Sequence, residues 1–177
     1  MFEPYVHVIA ALAVISRIAD VLSTYLVTPT LKLEANSIAR RFGWWYALLT
    51  ILIGFVPYVS PALGVVVLTT SFMVAAANAS KILIARALGE AEMAALSRRV
   101  IEATPPWPGL LFLVMPGIFV ALLGGSMLLF YPTGSQWGYY FAVGMLVYAL
   151  AIFVWYPLNY FRVRALVRTR MTERERD

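Results

Sequence analysis

Long apolar runs separated by short polar stretches are the main feature of this chain. Five of them are close to the roughly 20 residues that an α-helix needs to cross the hydrocarbon of a bilayer. Between the second and third runs, Pro57 and Pro61 favour a tight turn and so two helices, with one broken helix as the alternative. The pattern predicts an all-α membrane bundle with five transmembrane helices. The predicted spans are residues 5–28, 42–59, 62–85, 107–131 and 138–161.

The polar stretch after the third run has the period of an amphipathic helix. Apolar residues recur there at intervals of three and four, which predicts a helix at about residues 88–103. These residues are Met93, Leu96, Val100 and Ala103. The helix would either prolong the third span into the cytoplasm or lie on the lipid headgroups. Residues 162–177 form a basic tail, so residues 1–161 are predicted to be one transmembrane domain.

Basic residues predict the orientation of the bundle. Of the 14 Lys and Arg residues, all except Arg17 lie in, or at the edge of, connections on the same side of the membrane. The alternate connections, near Ser60 and near Ser135, carry none. Cytoplasmic loops are enriched in Lys and Arg, so the basic side is predicted to be cytoplasmic. The N-terminus is therefore expected outside and the C-terminus inside.

Composition excludes an ordinary soluble domain. The chain is 62% hydrophobic and 13% charged, whereas soluble domains carry about 25% charged residues. A net charge of +5 is compatible with nucleic-acid binding, but the basic residues lie in loops between apolar segments and mark topology, so no nucleic-acid partner is expected. The expected partners are the lipid bilayer and anionic lipids at the basic cytoplasmic face. The expected location is the cell membrane, meaning a prokaryotic inner or plasma membrane.

Two charged residues lie near the middle of the first run. Arg17 and Asp20 share a helical face with Ala10, Ala13 and Thr24. A charge at the centre of a transmembrane helix costs about 2.5–3.5 kcal/mol on insertion scales, so this face should point into the bundle or into a water-filled cavity. The spacing of three residues allows Arg17 and Asp20 to pair with each other.

A second polar stripe lies on the third run. Gly64, Ser71, Ala75 and Asn78 share one face, and Lys81 lies close to its cytoplasmic end. Small and hydroxyl residues at this spacing are typical of close helix packing in lipid. The stripe is therefore predicted to pack against the charged face of the first span, which would place Asp20 near Asn78 or Lys81.

The loop after the first span adds polar residues at the same membrane level. Asn36 is predicted to cap a short helix that Gly43 ends. Glu34 is an acid in a basic loop, placed to fold back toward Arg17, Arg40 or Lys81. The candidate substrate- or ion-binding residues are Arg17, Asp20, Thr24, Glu34, Asn36, Asn78 and Lys81.

The segments "DVLST" and "EANSIARRFG" resemble a family of uncharacterised small prokaryotic multi-pass membrane proteins. That family has Asp-x-x-x-Thr at the end of the first span and Glu-x-Asn-Pro in the next loop. Asp20, Thr24, Glu34 and Asn36 match, whereas Ser37 replaces the proline. The resemblance covers about the first 45 residues. It implies that the four matching residues form one site, and it carries no activity to this chain.

Three classes of function fit these observations. Transport or permeation of an ion or small solute comes first, because intramembrane charges mark ion and proton paths. The alternatives are a membrane scaffold or accessory subunit, and an intramembrane enzyme acting on a lipid or isoprenoid phosphate. In that enzyme Arg17, Arg40 and Lys81 would hold phosphate, with Asp20 or Glu34 as acid or base. Neither a cofactor nor a metal site is expected, and no catalytic residue is assigned. The short chain and the small residues of the fourth span favour a homo-oligomer or a subunit of a complex.

Overall fold

The computed structural model describes residues 5–130 and 136–174, with residues 167–174 described by their backbone alone. All regular secondary structure in these ranges is helical. A 3₁₀ segment, Leu52–Tyr58, continues directly from the second helix. The helices are α1 (Val6–Val27), α2 (Ser37–Ile51), α3 (Pro61–Leu88), α4 (Glu90–Ala103), α5 (Pro106–Phe130) and α6 (Gln136–Arg174).

Four of the helices are long and apolar enough to cross a membrane. They are α1, α3, α5 and the part of α6 up to Leu166. The prediction of an all-α bundle is confirmed over the described residues, and the first, third, fourth and fifth predicted spans lie on these four helices. The second predicted span falls on the end of α2 and the 3₁₀ segment. The predicted domain and tail also include residues 1–4, 131–135 and 175–177, and the predicted connection near Ser135 falls among them; these residues lie outside the part of the chain that the structure describes.

The outer surface of the bundle is apolar. Phe112, Leu129 and Phe130 on α5 are 73%, 80% and 84% exposed. Proteins in water rarely expose a large continuous apolar surface, so a surface of this kind needs lipid or a partner to cover it. The exposed apolar residues therefore agree with the hydropathy of the four long helices, which indicates a membrane protein.

The helices pack in the order α2, α1, α3, α6, α5, with α4 across one end. The helices α1 and α3 have the most extensive contact, and they run parallel, so that Arg17 is level with Ser71 and Thr24 is level with Asn78. The 3₁₀ segment crosses α1 at Gly54, where an added Cβ would lie 2.8 Å from the Val14 backbone. Only glycine allows that approach. The predicted contact between the polar faces of the first and third spans is confirmed.

Helices α5 and α6 pack antiparallel through small residues. Added Cβ atoms at Gly117 and Gly124 would lie 3.0 Å and 3.2 Å from their nearest α6 atoms, whereas Gly125 faces open space. The sequence offers the small residues of the fourth span as a surface for self-association. In the structure, Gly117 and Gly124 are covered by α6 of the same chain. The expected homo-oligomer stays a prediction that rests on the small number of spans.

Glycine and proline set the helix boundaries. Asn36 caps α2 by accepting hydrogen bonds from the amides of Ile38 (2.9 Å) and Ala39 (3.4 Å), as predicted. At Gly43 φ is +66°, which interrupts the helix at the predicted position. Gly89, with φ of +77°, separates α4 from α3, so α4 does not prolong the third predicted span. The 3₁₀ segment ends before Pro61 begins α3, which confirms two helices rather than one broken helix.

Candidate functional site

One cavity brings the candidate residues together. It has a volume of about 660 Å³ and lies among α1, α2, α3 and α6, with α4 at one end. All seven residues singled out in the sequence line it. They come from α1 (Arg17, Asp20, Thr24), the following loop (Glu34, Asn36) and α3 (Asn78, Lys81). Interior-facing polar residues on parallel neighbouring helices converge in this way because lipid penalises any other orientation.

Arg17 is held by three other side chains. Its Nη1 donates to Asp20 Oδ2 at 2.6 Å and to Ser71 Oγ at 3.2 Å. Its Nε donates to the Thr50 carbonyl oxygen at 3.2 Å, and its Nη2 donates to the Thr50 hydroxyl. The guanidinium therefore links α1, α2 and α3 at one level. The side chains of Arg17 and Asp20 are only 17% and 13% exposed, so each compensates the other in a poorly hydrated interior.

Asn78 pairs one turn along from the ion pair. Its Nδ2 donates to Thr24 Oγ1 at 2.9 Å and to Ser23 Oγ at 3.5 Å. The sequence allowed Asp20 to pair with Arg17 on its own helix or to lie near Asn78 or Lys81, and the structure has the pair with Arg17. The parallel register of α1 and α3 explains this, since Asn78 is level with Thr24.

Lys81 lies at the polar end of the cavity without a carboxylate partner. Its Nζ is 5.9 Å from the centre of the Tyr156 ring on α6, a cation–π distance. Over residues 5–130 and 136–166, the only ion pair is Arg17–Asp20. Lys81 is half-buried, and it therefore contributes an uncompensated positive charge to the cavity wall.

The α1–α2 loop and α6 close the same end. Glu34 Oε1 accepts a hydrogen bond from the Asn36 amide at 2.7 Å, and Arg40 donates to the Glu34 carbonyl oxygen. Arg40 Nη1 also donates to Asn159 Oδ1 at 3.2 Å, which links α2 to α6. Glu34 lies next to Arg40 as expected, but the contact is made by the Glu34 carbonyl oxygen and not by its carboxylate.

No family model, no curated protein and no solved structure matches this chain. The resemblance over the first 45 residues therefore stays a prediction. The assignment of the site rests on the geometry of the cavity.

The cavity changes in character along its length. On α3 the lining begins with Val66 and Val67 and ends with Asn78 and Lys81. On α6 it follows the same direction, from apolar Val147 to polar Asn159. The remaining polar and aromatic lining residues of α6 are Tyr148, Trp155, Tyr156 and Tyr160. The α3 and α6 walls are therefore mainly apolar and aromatic, and they become polar near Lys81. The facing α1–α2 wall carries the Arg17–Asp20 pair, which lies level with Ser71.

Sequence reasoning missed two residues that matter for this site. Thr50 was not singled out, because a lone threonine in an apolar run carries no signal of its partner; it is buried against Arg17. Glu90, the first residue of α4, also gave no signal. Its carboxylate accepts hydrogen bonds from the amides of Thr30 (3.0 Å) and Lys32 (2.9 Å) and from the hydroxyls of Thr28 and Thr30. It thereby ties α4 to the α1–α2 loop.

These hydrogen bonds shift the acidity of Glu90. Desolvation by partial burial would raise the pKa of the carboxyl, but the bonds from Thr28, Thr30 and Lys32 stabilise the anion more strongly. The net result is a pKa below the ordinary value of 4.5. At the other end of α4, Arg164 of α6 donates to the Thr104 carbonyl oxygen at 3.0 Å. Hydrogen bonds thus hold both ends of α4 in place at one end of the cavity.

The described residues hold no group of three or more His, Asp or Glu side chains that could bind a metal ion. The groups that the cavity does present are charged, hydrogen-bonding and aromatic side chains. The sequence-based enzyme alternative assigns phosphate contacts to Arg17, Arg40 and Lys81. Of these, Arg17 and Arg40 make hydrogen bonds within the protein, and Lys81 is directed at an aromatic ring.

Proposed function

We propose that this chain is a five-span membrane protein that binds a small solute in the cavity and moves it across the membrane. In addition to the four long helices, the second predicted span would cross the membrane as residues 44–58, after the break at Gly43. With about 1.5 Å of rise per α-helical residue and about 2.0 Å per 3₁₀ residue, this stretch is about 26 Å long. That is close to the hydrocarbon thickness of about 30 Å. Its outer residues, Trp45, Leu49 and Leu52, are apolar and well exposed.

An odd number of spans places the two termini on opposite sides, and the basic residues support a cytoplasmic C-terminus. Single cysteines test this orientation cleanly because the chain has none of its own. Val59→Cys, at the end of the 3₁₀ segment, should react with a membrane-impermeant thiol reagent only from outside. Arg98→Cys on α4 should react only from inside. Labelling of both positions from one side would contradict five spans.

The observation that carries the transport proposal is the open volume of about 660 Å³ lined by all seven candidate residues. In a purely structural polar interface, complementary side chains fill the space between helices, because protein interiors are close-packed. A volume of this size is instead within the range of about 300–1,000 Å³ that is typical of small-molecule sites. Charged groups at such a depth are usually functional.

The scaffold alternative has one specific observation in its favour. Arg17 makes bonds to Asp20, Ser71 and Thr50, and all of them lie within the protein. The charged pair therefore has a structural task, which is to fix α1, α2 and α3 relative to one another. We assign solute binding to the other end of the cavity, around Lys81, and positioning to Arg17 and Asp20.

Accessibility of the cavity tests the proposal. In sealed vesicles, Ala77→Cys and Ser97→Cys should react with a charged thiol reagent from the cytoplasmic side, since both residues line the cavity. Phe112→Cys on the exposed face of α5 should be protected by lipid and serves as the control. For transport, Val67→Cys at the apolar end should also react slowly from outside. Protection of Ala77→Cys and Ser97→Cys from both sides would contradict a solute-binding cavity, and labelling from inside only would contradict transport.

A further inference from the structure

The cavity has the dimensions and polarity of a molecule with a head and a tail. Its α3 wall runs from Val66 to Lys81, which is about 22 Å at about 1.5 Å per residue. An inorganic ion would occupy a small part of that length. The α3 and α6 walls are mainly apolar, the Arg17–Asp20 pair on the facing wall is compensated, and Lys81 is unpaired. This combination matches a single-chain amphiphile, because apolar surface is buried favourably only against apolar atoms.

The charge at the polar end favours an anion. Arg17 is compensated by Asp20, and the only other acid lining the cavity, Glu34, lies beside Arg40. Lys81 has the Tyr156 ring as its neighbour and no carboxylate partner within the described part of the chain. A half-buried ammonium gains most from an anionic oxygen, since charge-assisted hydrogen bonds are about twice as strong as neutral ones. Asn159 on α6 adds an amide at the same level.

The half of the cavity that contains Asn78 and Lys81 is adjacent to the outer surface of the bundle. A shallow groove of about 390 Å³ lies on the outer surface between α1 and α2, and its lining is apolar and aromatic. Val21 and Trp44 line both this groove and the cavity. Trp44 is fixed by a hydrogen bond from its Nε1 to the Pro29 carbonyl oxygen at 2.9 Å. Because the two spaces share these side chains, the groove offers a ligand dissolved in lipid a path toward the cavity.

We propose that the cavity takes an anionic single-chain amphiphile, with a carboxylate or phosphate head at Lys81 and its chain directed toward Val66. This inference rests on the proposed function, because it names the class of solute that the cavity binds. The head could belong to a membrane amphiphile or to a free small anion, and the experiment below distinguishes the two.

Binding of three probes tests the class of ligand. The protein in nanodiscs of zwitterionic lipid is titrated with dodecyl phosphate, with dodecyltrimethylammonium and with inorganic phosphate, and retained adducts are measured by native mass spectrometry. Dodecyl phosphate should bind with a stoichiometry of one. The cationic probe has the same chain and should not be retained, and inorganic phosphate should bind far more weakly because it lacks the chain.

Two pairs of variants locate the site. Lys81→Met should weaken dodecyl phosphate binding by about 10- to 100-fold, the effect expected for a lost charged hydrogen bond. Arg86→Met removes a charge from the exposed end of α3 and should have little effect. Ala151→Trp fills the cavity from α6 and should abolish retention of the chain. Ala76→Trp, on the exposed face of α3, is its control, and Lys81→Arg should keep part of the affinity.

Several results would overturn this inference. Equal retention of the cationic probe, or equal losses for Lys81→Met and Arg86→Met, would show that Lys81 does not select an anion. Inorganic phosphate binding as tightly as dodecyl phosphate would show a free-anion site. Should Lys81→Met fail to fold, the Ala151→Trp and Ala76→Trp pair still decides whether the chain enters the cavity. If Ala77→Cys and Ser97→Cys are accessible but no dodecyl phosphate binds, this inference fails and the proposed function stands.

Discussion

The α1–α3 and α5–α6 interfaces are held together by different means. At α1–α3, polar side chains meet at matched levels, with Arg17 bonded to Ser71 and Asn78 bonded to Thr24. At α5–α6, Gly117 and Gly124 let side chains of the facing helix approach closely. Both kinds of interface occur in membranes, where helices gain little from hydrophobic burial against each other and depend on packing and hydrogen bonds.

The difference shows which interface can support a solute site. Polar groups fix one register precisely, because a shift of one turn would leave a charge unpaired in low dielectric. They also bring further polar groups, such as Lys81, to a defined level of the cavity. At α5–α6, close packing of side chains against glycines fixes the distance between the two helices. The outer face of this pair is apolar and faces lipid. We therefore expect α1–α3 to respond to charge and α5–α6 to respond to volume.

The largest effect is expected at the ion pair. Asp20→Asn leaves Arg17 uncompensated, and breaking a buried pair costs about 3–5 kcal/mol. The free energy of unfolding, measured by denaturant titration in mild detergent, should fall by that amount. A loss below about 1 kcal/mol would show that Arg17 is adequately solvated without Asp20, and the proposed positioning role would be wrong.

The double variant Arg17→Met with Asp20→Leu is the control for this prediction. Replacing a buried pair by apolar residues of similar size is often neutral or stabilising, so folding should return. Thr50 keeps its own bond to the Ala47 carbonyl oxygen at 2.6 Å, which limits the polar groups left unsatisfied. If solute binding also returns, the pair serves only the fold. If folding returns without transport, the charges act on the solute.

A smaller effect is expected at α5–α6. Gly117→Leu adds a side chain where even a Cβ would lie 3.0 Å from Ile152 and Phe153, and overpacking costs about 1–3 kcal/mol. Gly125→Leu, on the same helix, has open space around its Cβ and should be neutral or stabilising. Thermal unfolding in detergent measures both. Equal losses for the two variants would show that helix propensity, and not contact with α6, determines the result.

Much of this site follows from the sequence for a definite physical reason. Arg17, Asp20 and Thr24 recur at helical spacing in an apolar run, and lipid allows such a face only one direction, so their meeting with Asn78 was predictable. The pairing of Arg17 with Asp20 was also predictable from their spacing, whereas the bond of Arg17 to Thr50 was not. Thr50 reaches Arg17 only because the 3₁₀ segment crosses α1 closely at Gly54, which no spacing in the sequence encodes.

The same reasoning applies outside the apolar runs. Glu90 resembles any acid in the first turn of a helix, a position that the helix dipole favours. Its actual partners are backbone amides of a loop about 60 residues earlier, which carry no residue-type signal. The register of α1 against α3 could be predicted from the periodicity of the sequence. The contacts made by loops could not, because they depend on the three-dimensional path of the chain.

The smallest effect is expected at Glu90, where the polar contacts of the α1 side continue beyond the membrane. Because the pKa of Glu90 is lowered in the folded protein, its contribution is complete above the ordinary value of 4.5 and is lost as the pH falls through the lowered value. Protonation removes acceptor capacity for the amides of Thr30 and Lys32. The hydrogen-exchange protection of these two amides, corrected for the intrinsic pH dependence of exchange, should therefore decrease when the pH is lowered below 4.5. Glu90→Gln should show the reduced protection already at pH 7, while Glu92→Gln, two residues away and exposed, should behave like the unmodified protein. Protection that is independent of pH in all three proteins would show that the loop is held by α1 alone.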